Sequence, residues 1–221
     1  NGSTNYILTK VFEERLGYGE ALKQAQALGF AESDPSLDVK AFDPKYKLAI
    51  LITHAFGVFV NPDDILNVGI DKISAVDLKY AKDHKLTIKL IARAFKAGDR
   101  IYGLVAPQFV EETHPLSSVR NEFNAVTVEG AFAEKQLFVG KGAGSYPTGS
   151  AVLSDISALT YDYQYEYKKL HQENRLAFSN DVSLDVVVSF QGQERVTTSD
   201  FIAFKGGFQG SSFQNMQGSV T

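Results

Sequence analysis

Ionisable side chains crowd the stretch from Glu32 to Lys47: the carboxylates Glu32, Asp34, Asp38 and Asp43, and the lysines Lys40, Lys45 and Lys47. An apolar run, Leu48-Ala49-Ile50-Leu51-Ile52, follows at once. Docking so many charges beside a core is unfavourable unless they have partners. Asp43 precedes Pro44, the pattern of an N-cap followed by a first-turn proline, so a helix is expected from Asp43. Lys47 then falls one turn along the same helix face. A lysine held beside a carboxylate at a helix start can place a proton donor over a small polar substrate. The same residues, fully solvated, would make only a charged loop leading into a capped helix. Spacing alone leaves both readings open.

Other reactive patterns are weaker. Gly140, Gly142 and Gly144 invite a dinucleotide-binding reading. That fingerprint needs a strand–turn–helix–strand unit of about 30 residues, with an acidic side chain about 20 residues on. Pro147 is expected to interrupt the segment and no such unit follows, so the reading is set aside. Gly144 has no Cβ, which either admits a ligand close to the backbone or merely serves a turn. His54, His84, His114 and His171 show no metal-ligand spacing, the chain has no cysteine, and no metal site is expected. His114-Pro115 reads as a turn. Ser3, Ser117 and Ser118 lack the glycine-flanked elbow of a nucleophile.

The elements that must position these residues follow from periodicity and punctuation. Helices are expected over Thr4–Leu16, Glu20–Leu28 (stopped by Gly29) and Asp43–Phe56 (stopped by Gly57). Asn61-Pro62-Asp63-Asp64 reads as a turn, and Ser74 as the cap of a short helix through Asp83. Strands follow: Thr87–Phe95, a turn at Lys96–Asp99, Arg100–Val110, then Asn124–Val128 and Gln136–Val139. A helix over Thr148–Leu159, with Thr148 as cap, precedes four tyrosines at period two, Tyr161, Tyr163, Tyr165 and Tyr167. These predict one aromatic face of a strand, or alternatively an aromatic binding platform. Leu184–Phe190 is a further predicted strand, and the tail from Gly206 to Thr221 is rich in Gly, Ser and Gln. The fold class is α+β, with helices on one face of a mixed, mostly antiparallel sheet and a small strand-rich C-terminal region. Residues 1–160 and 161–221 are the expected division.

Composition narrows the function classes. The chain has 221 residues, 44% hydrophobic and 22% charged, with a net charge of −4. No basic stripe appears, so nucleic acid and anionic membranes are not expected partners. No apolar run approaches the roughly 20 residues of a membrane span and no signal-peptide pattern opens the sequence, so a cytoplasmic location is expected.

Taken in order, the motifs resemble those of homoserine dehydrogenases. Gly29-Phe30-Ala31-Glu32-Ser33-Asp34-Pro35 through Asp43 and Lys47 is similar to the family's G-Y-A-E-x-D-P-x-x-D-V-E-G-x-D-A-x-x-K. Asn1-Gly2-Ser3-Thr4-Asn5-Tyr6-Ile7-Leu8 resembles N-G-T-T-N-Y-I-L, and Glu20 through Gly29 resembles E-A-L-x-x-A-Q-x-L-G. His114-Pro115-Leu116, Asn124-Ala125-Val126 and Gly142 through Val152 resemble later landmarks. The resemblance implies interconversion of aspartate β-semialdehyde and homoserine with NAD or NADP, on the way to threonine and methionine. It implies Lys47 as proton donor, oriented by Asp43, with Glu32 and Asp38 receiving the substrate's α-ammonium group. Gly2 and Ser3 are the implied site for its α-carboxylate, and Gly144 is the implied contact to the cofactor. A homodimer is expected, with a subunit contact on the sheet formed by Thr87 to Val139. The family's nucleotide domain is not in this sequence, so the chain alone is expected to be inactive. The alternative is a non-catalytic dimerising or regulatory module. Lys40-Ala41 stands where the family has Glu-Gly, Phe30 replaces a tyrosine, and Pro44 and Tyr46 alter the helix start.

Overall fold

The computed structural model describes residues 1–171, 176–182 and 184–187. Helix α1 (Gly2–Glu13) begins two residues earlier than its period suggests, because Asn1 caps it: Asn1 Oδ1 accepts from Thr4 N at 3.0 Å. Helix α2 (Tyr18–Ala27) ends at Gly29, whose φ of +73° is the left-handed stop expected of glycine. Ala21 and Ala25, both fully buried, share a cluster with Tyr6, Ile7 and Leu8 of α1. A single turn, α3 (Ser36–Val39), leads into α4 (Phe42–Phe56).

The start of α4 differs from the sequence expectation. The capping position is Ala41, in the left-handed region at φ 64° and with no side-chain cap, so Asp43 and Pro44 lie inside the first turn. A carboxylate is favourable there because it faces the positive end of the helix dipole. Ala41 is fully buried. It occupies the place of a glycine in the motif that the sequence resembles, and its left-handed backbone carries a strain of order 1 kcal/mol.

Asn61 accepts from Asp63 N ahead of a 3-10 turn at Pro62–Asp64, and β1 (Leu66–Asn67) follows. Ser74 and Asp77 form a reciprocal capping box for α5 (Ala75–Asp83). Strands β2 (Leu86–Ala97) and β3 (Arg100–Glu111) pair antiparallel along their whole length, from Leu86 opposite Glu111 to Ala97 opposite Arg100. Their two-residue turn needs Gly98 at φ +61°. His114 caps the 3-10 turn Pro115–Ser118 by accepting from Leu116 N at 3.1 Å, so it serves a turn.

Strands β4 (Phe123–Gly130) and β5 (Glu134–Lys141) are antiparallel but form a separate two-stranded sheet. This differs from the single sheet expected over Thr87 to Val139, because alternation identifies a strand but not its partner. Helix α6 (Ser145–Leu159) starts three residues before the expected Thr148. Pro147 falls in its first turn, where a missing N–H is harmless, so it does not interrupt.

The four-tyrosine segment forms no strand. Tyr165 and Tyr167 instead pack their rings on His54, at 5.4 and 4.5 Å between centroids, and Lys169 Nζ donates to Ala55 O at 2.6 Å. Beyond it, β6 (Ala177–Ser179) pairs parallel with β3 opposite Arg100–Tyr102. β1 pairs parallel opposite Leu104 and Val105, so β1 and β6 share one edge of β3 while β2 holds the other. Residues 184–187 are not in a strand; 188–190 and the tail from 206 to 221 lie outside the described residues.

The architecture is α+β. Leu48 and Ile52 of α4 share a core cluster with Ile101 and Val105 of β3, and Phe178 packs against it. Each such fully buried aliphatic side chain contributes about 1.5–3 kcal/mol. Among the described residues no helix is long and apolar enough to cross a membrane.

Candidate active site

Three segments meet at the first turn of α1. Asn1 Nδ2 donates to Asp38 Oδ1 at 2.6 Å and to Asp43 Oδ2 at 2.7 Å. Lys47 Nζ donates to the same Asp43 oxygen at 2.8 Å. The α4 register produces this last contact, since residues four apart are neighbours on a helix surface. The Lys47 side chain is 63% exposed and that of Asp43 31%, so an ammonium group is held at one end and open to solvent at the other. Such a group can polarise a carbonyl oxygen and return a proton to it.

The other lysines of the run point elsewhere. Lys45 is buried, with its Nζ 5.0 Å from the Phe42 ring centroid and 3.9 Å from Asp63. Lys40 is exposed and, among the described residues, makes no ion pair. The hydrogen bonds that Ser36 makes to the exposed Asp34 hold its carboxyl below the usual range, so Asp34 serves the turn ahead of α3, whose N-cap is Pro35. Glu32 is exposed, and its carboxylate meets none of Asp38, Asp43 and Lys47; among the described residues only its carbonyl is held, by Gln26 Nε2 at 2.9 Å. The structure therefore brings Asp38, Asp43 and Lys47 together and leaves Glu32 at the rim.

Gly2 and Ser3 occupy the first turn of α1, where N–H groups have no partner within the helix. The Ser3 hydroxyl donates to Phe30 O at 2.5 Å, so its proton is committed to tying α1 to the end of α2. What the two residues can offer a carboxylate is backbone N–H at a helix N-terminus.

Beneath the site lies Gly69. A Cβ there would sit 2.2 Å from Val39 O and 2.6 Å from Lys40 Cα. Around it, Ile70 N donates to Val39 O and Asn67 Nδ2 to Lys40 O, both at 2.8 Å. The segment after β1 thus forms a floor under the junction between Asp38 and Asp43.

On the far side of α1, Lys89 of β2 is 8% exposed and donates to Asn5 Oδ1 at 3.0 Å and Val119 O at 2.5 Å. Asn5 Nδ2 in turn reaches the carbonyls of Val119, Asn121 and Phe123. Burial pushes the Lys89 ammonium down to about 8, with Glu13 opposing and Arg120 adding to the shift. This hub fastens the segment leading into β4 onto α1. There the carbonyl of Glu122 would meet a Gly2 Cβ at 3.0 Å and Asn124 Nδ2 a Gly142 Cβ at 1.9 Å. Asn124 Oδ1 is buried and, among the described residues, unpartnered. Gly144 caps α6 at φ 102°, a conformation that favours glycine, with little around it.

Asn1, Asn5 and Lys89 were not among the residues singled out from sequence. The signals for two of them were available: an N-cap beside the glycine of a first turn, and a lysine at a buried phase of a strand.

Comparison with known proteins adds a second line. The family model described as homoserine dehydrogenase matches residues 1–157. The homoserine dehydrogenase of Bacillus subtilis (strain 168) is 45% identical over 159 residues, covering 72% of this chain and 37% of that protein. A crystal structure of a homoserine dehydrogenase from Thiobacillus denitrificans superposes with a TM-score of 0.72 at 31% identity, over 81% of this chain and 44% of that one. A hyperthermophilic archaeal homoserine dehydrogenase mutant in complex with NADPH superposes with a TM-score of 0.58 at 29% identity, over 74% and 46%. The chain spans less than half the length of these relatives.

Proposed function

The chain belongs to the homoserine dehydrogenase family, and from that premise we propose that it holds the substrate and proton-transfer residues for interconverting homoserine and aspartate β-semialdehyde. The observation that carries the reading is the network Asp38–Asn1–Asp43–Lys47, with its ammonium group half open to solvent.

In the reducing direction the aldehyde oxygen lies against Lys47 Nζ, which draws electron density from the carbonyl carbon. As negative charge grows on that oxygen, Lys47 donates a proton to it and the alcohol forms. Asp43 fixes the direction of the ammonium group. Asp38, with Glu32 at the rim, receives the α-ammonium group of the substrate, and the first-turn N–H groups of Gly2 and Ser3 receive its α-carboxylate. In the oxidising direction the same transfer runs in reverse, and the hydroxyl proton passes to Lys47 Nζ.

The residues present fit a nicotinamide cofactor at one edge: Asn124 Oδ1 is a buried acceptor without a partner among the described residues, and the Gly144 backbone is open to close approach. When bound, the nicotinamide supplies or accepts the hydride. Its main binding portion belongs to a nucleotide domain, so residues 1–221 alone are expected to bind homoserine without turning it over. Residues 1–160 are the substrate and dimerisation unit in this reading, and residues 161–221 an appended region.

A homodimer is part of the proposal. The sheet face turned away from α4 carries Arg93 over the Phe95 ring at 5.2 Å, with Phe95 stacked on Tyr102 at 5.3 Å. Aromatic rings and arginine are the residue types that anchor interfaces.

The test joins this chain to the N-terminal portion of the Bacillus subtilis relative. The chimera is expected to oxidise homoserine with NAD⁺ or NADP⁺, and its Lys47→Ala form to lose about 10²–10⁴-fold in kcat, the usual worth of a general acid, with a smaller change in KM. Equal kcat in the two forms would remove the mechanism.

A further inference from the structure

The geometry points to Asn1 as the positioning residue of the site: a single side-chain amide that holds the carboxylates of Asp38 and Asp43 at a fixed separation. The inference rests on the reading of that site given above.

The orientation of the amide follows from donors and acceptors alone. Asn1 Oδ1 accepts from Thr4 N at 3.0 Å and from Thr4 Oγ1 at 3.1 Å. A backbone N–H can only donate, so Oδ1 must face Thr4 and the NH₂ group must face the carboxylates. Nδ2 has two protons, and one goes to each: Asp38 Oδ1 at 2.6 Å and Asp43 Oδ2 at 2.7 Å. Because the amide is planar and trigonal, the two accepting oxygens stand roughly 4–5 Å apart. Charge-assisted bonds of this length are at the strong end of the range.

Two consequences follow. Asp38 and Asp43 belong to different helices, α3 and α4, and would repel one another. Asn1 supplies a donor to both and ties them to the rigid end of α1. Each carboxylate also keeps one oxygen that Asn1 does not use, and an ammonium group of a substrate entering between them can donate to both. Lys47 already takes the shared Asp43 oxygen, so Asn1 and Lys47 between them fix which oxygens remain.

Substitution can separate this role from helix capping. Aspartate caps a helix about as well as asparagine, because both accept from the first-turn N–H. Asn1→Asp therefore keeps the contact to Thr4 N while replacing the double donor by a third carboxylate. Asn1→Ser also caps and cannot span both partners.

The experiment uses residues 1–221 labelled with ¹⁵N. The side-chain NH₂ pair of Asn1 is identified as the one missing in Asn1→Asp. Asp38→Asn and Asp43→Asn are each expected to shift one proton of that pair, a different one in each variant. L-Homoserine titrated into the Asn1→Asp protein is expected to bind about tenfold or more weakly, the order of loss that follows a misplacement of about 1 Å. The chain should stay folded by circular dichroism with its Tm lowered by roughly 5–15 °C, because two charge-assisted bonds are lost while the contact to Thr4 N is kept. Asn1→Ser should behave likewise and serves if Asn1→Asp fails to fold. An NH₂ pair unmoved by both aspartate substitutions would overturn the inference, as would unchanged homoserine affinity in both Asn1 variants. Failure of the unsubstituted chain to bind homoserine at all would instead overturn the substrate assignment, and the amide shifts would still decide the bridge.

Discussion

Gly69→Ala should unseat the site from below without touching any residue that carries charge. The new methyl carbon would lie 2.2 Å from Val39 O and 2.6 Å from Lys40 Cα, where real contacts of this kind stay beyond 3.0 Å. Both obstacles are backbone, so no side chain can swing aside, and the Val39–Lys40 segment must retreat by roughly 1 Å. That segment joins Asp38 to the left-handed Ala41 that starts α4. A retreat of that size stretches the 2.6 Å bond from Asn1 to Asp38, and the 2.8 Å bonds from Ile70 N and Asn67 Nδ2, past useful length. Overpacking contributes about 1–3 kcal/mol, and weakened hydrogen bonds about 1 kcal/mol more, for a loss of about 2–4 kcal/mol. For a chain of this size that is a fall in Tm of roughly 5–15 °C. Homoserine affinity should fall at least about tenfold, since a displacement of about 1 Å can cost 10²-fold in a positioned site. The control is Gly19→Ala in α2, where a Cβ would meet nothing within 4 Å. It should be neutral or stabilising by up to about 1 kcal/mol, the helix-propensity difference. Thermal denaturation by circular dichroism and a homoserine titration would read both variants. A Gly69→Ala protein that melts within about 1 °C of the control and binds as well would refute the floor argument.

The buried Lys89 makes stability depend on alkaline pH. Its folded value is about 8 against an ordinary value near 10.4, so between those limits the unfolded chain binds more protons and stability rises with pH, by at most about 3 kcal/mol. The rise should be absent in Lys89→Met, and parallel Tm–pH curves for the two proteins between pH 8 and 10 would contradict it. Ending the chain at Thr160 removes the His54–Tyr165 contact, the Lys169 bond to the last turn of α4 and the Phe178 packing, and Tm should drop by more than about 5 °C; an unchanged melting curve would show these contacts to be idle. If the outer sheet face joins two subunits, Phe95→Glu should convert a sedimenting dimer to monomer, since about 800 Å² per partner is typical of such a contact and a charge at its centre opposes burial; a monomeric unsubstituted chain would exclude that contact.

Signals that act within a few residues were legible without coordinates. Ser74, Gly29, Gly57 and the turn before Arg100 each set a local backbone state, and the helices and strands they bound formed where expected. The Asp43–Lys47 contact was legible for the same reason, since it depends only on helix pitch. Pairings between distant segments were not. Alternation in β4 and β5 gave no sign that they would form their own sheet, and period-two tyrosines packed on His54 because a pattern specifies a face, not the surface it meets. Glu32 and Asp38 looked equivalent on paper, yet only Asp38 is brought to Asp43. What joins them is an amide 37 residues from one and 42 from the other, and a floor glycine that no motif names. Sequence spacing carries geometry along one helix or strand; across the chain the geometry arises only when separate elements pack, and the site is made of such contacts.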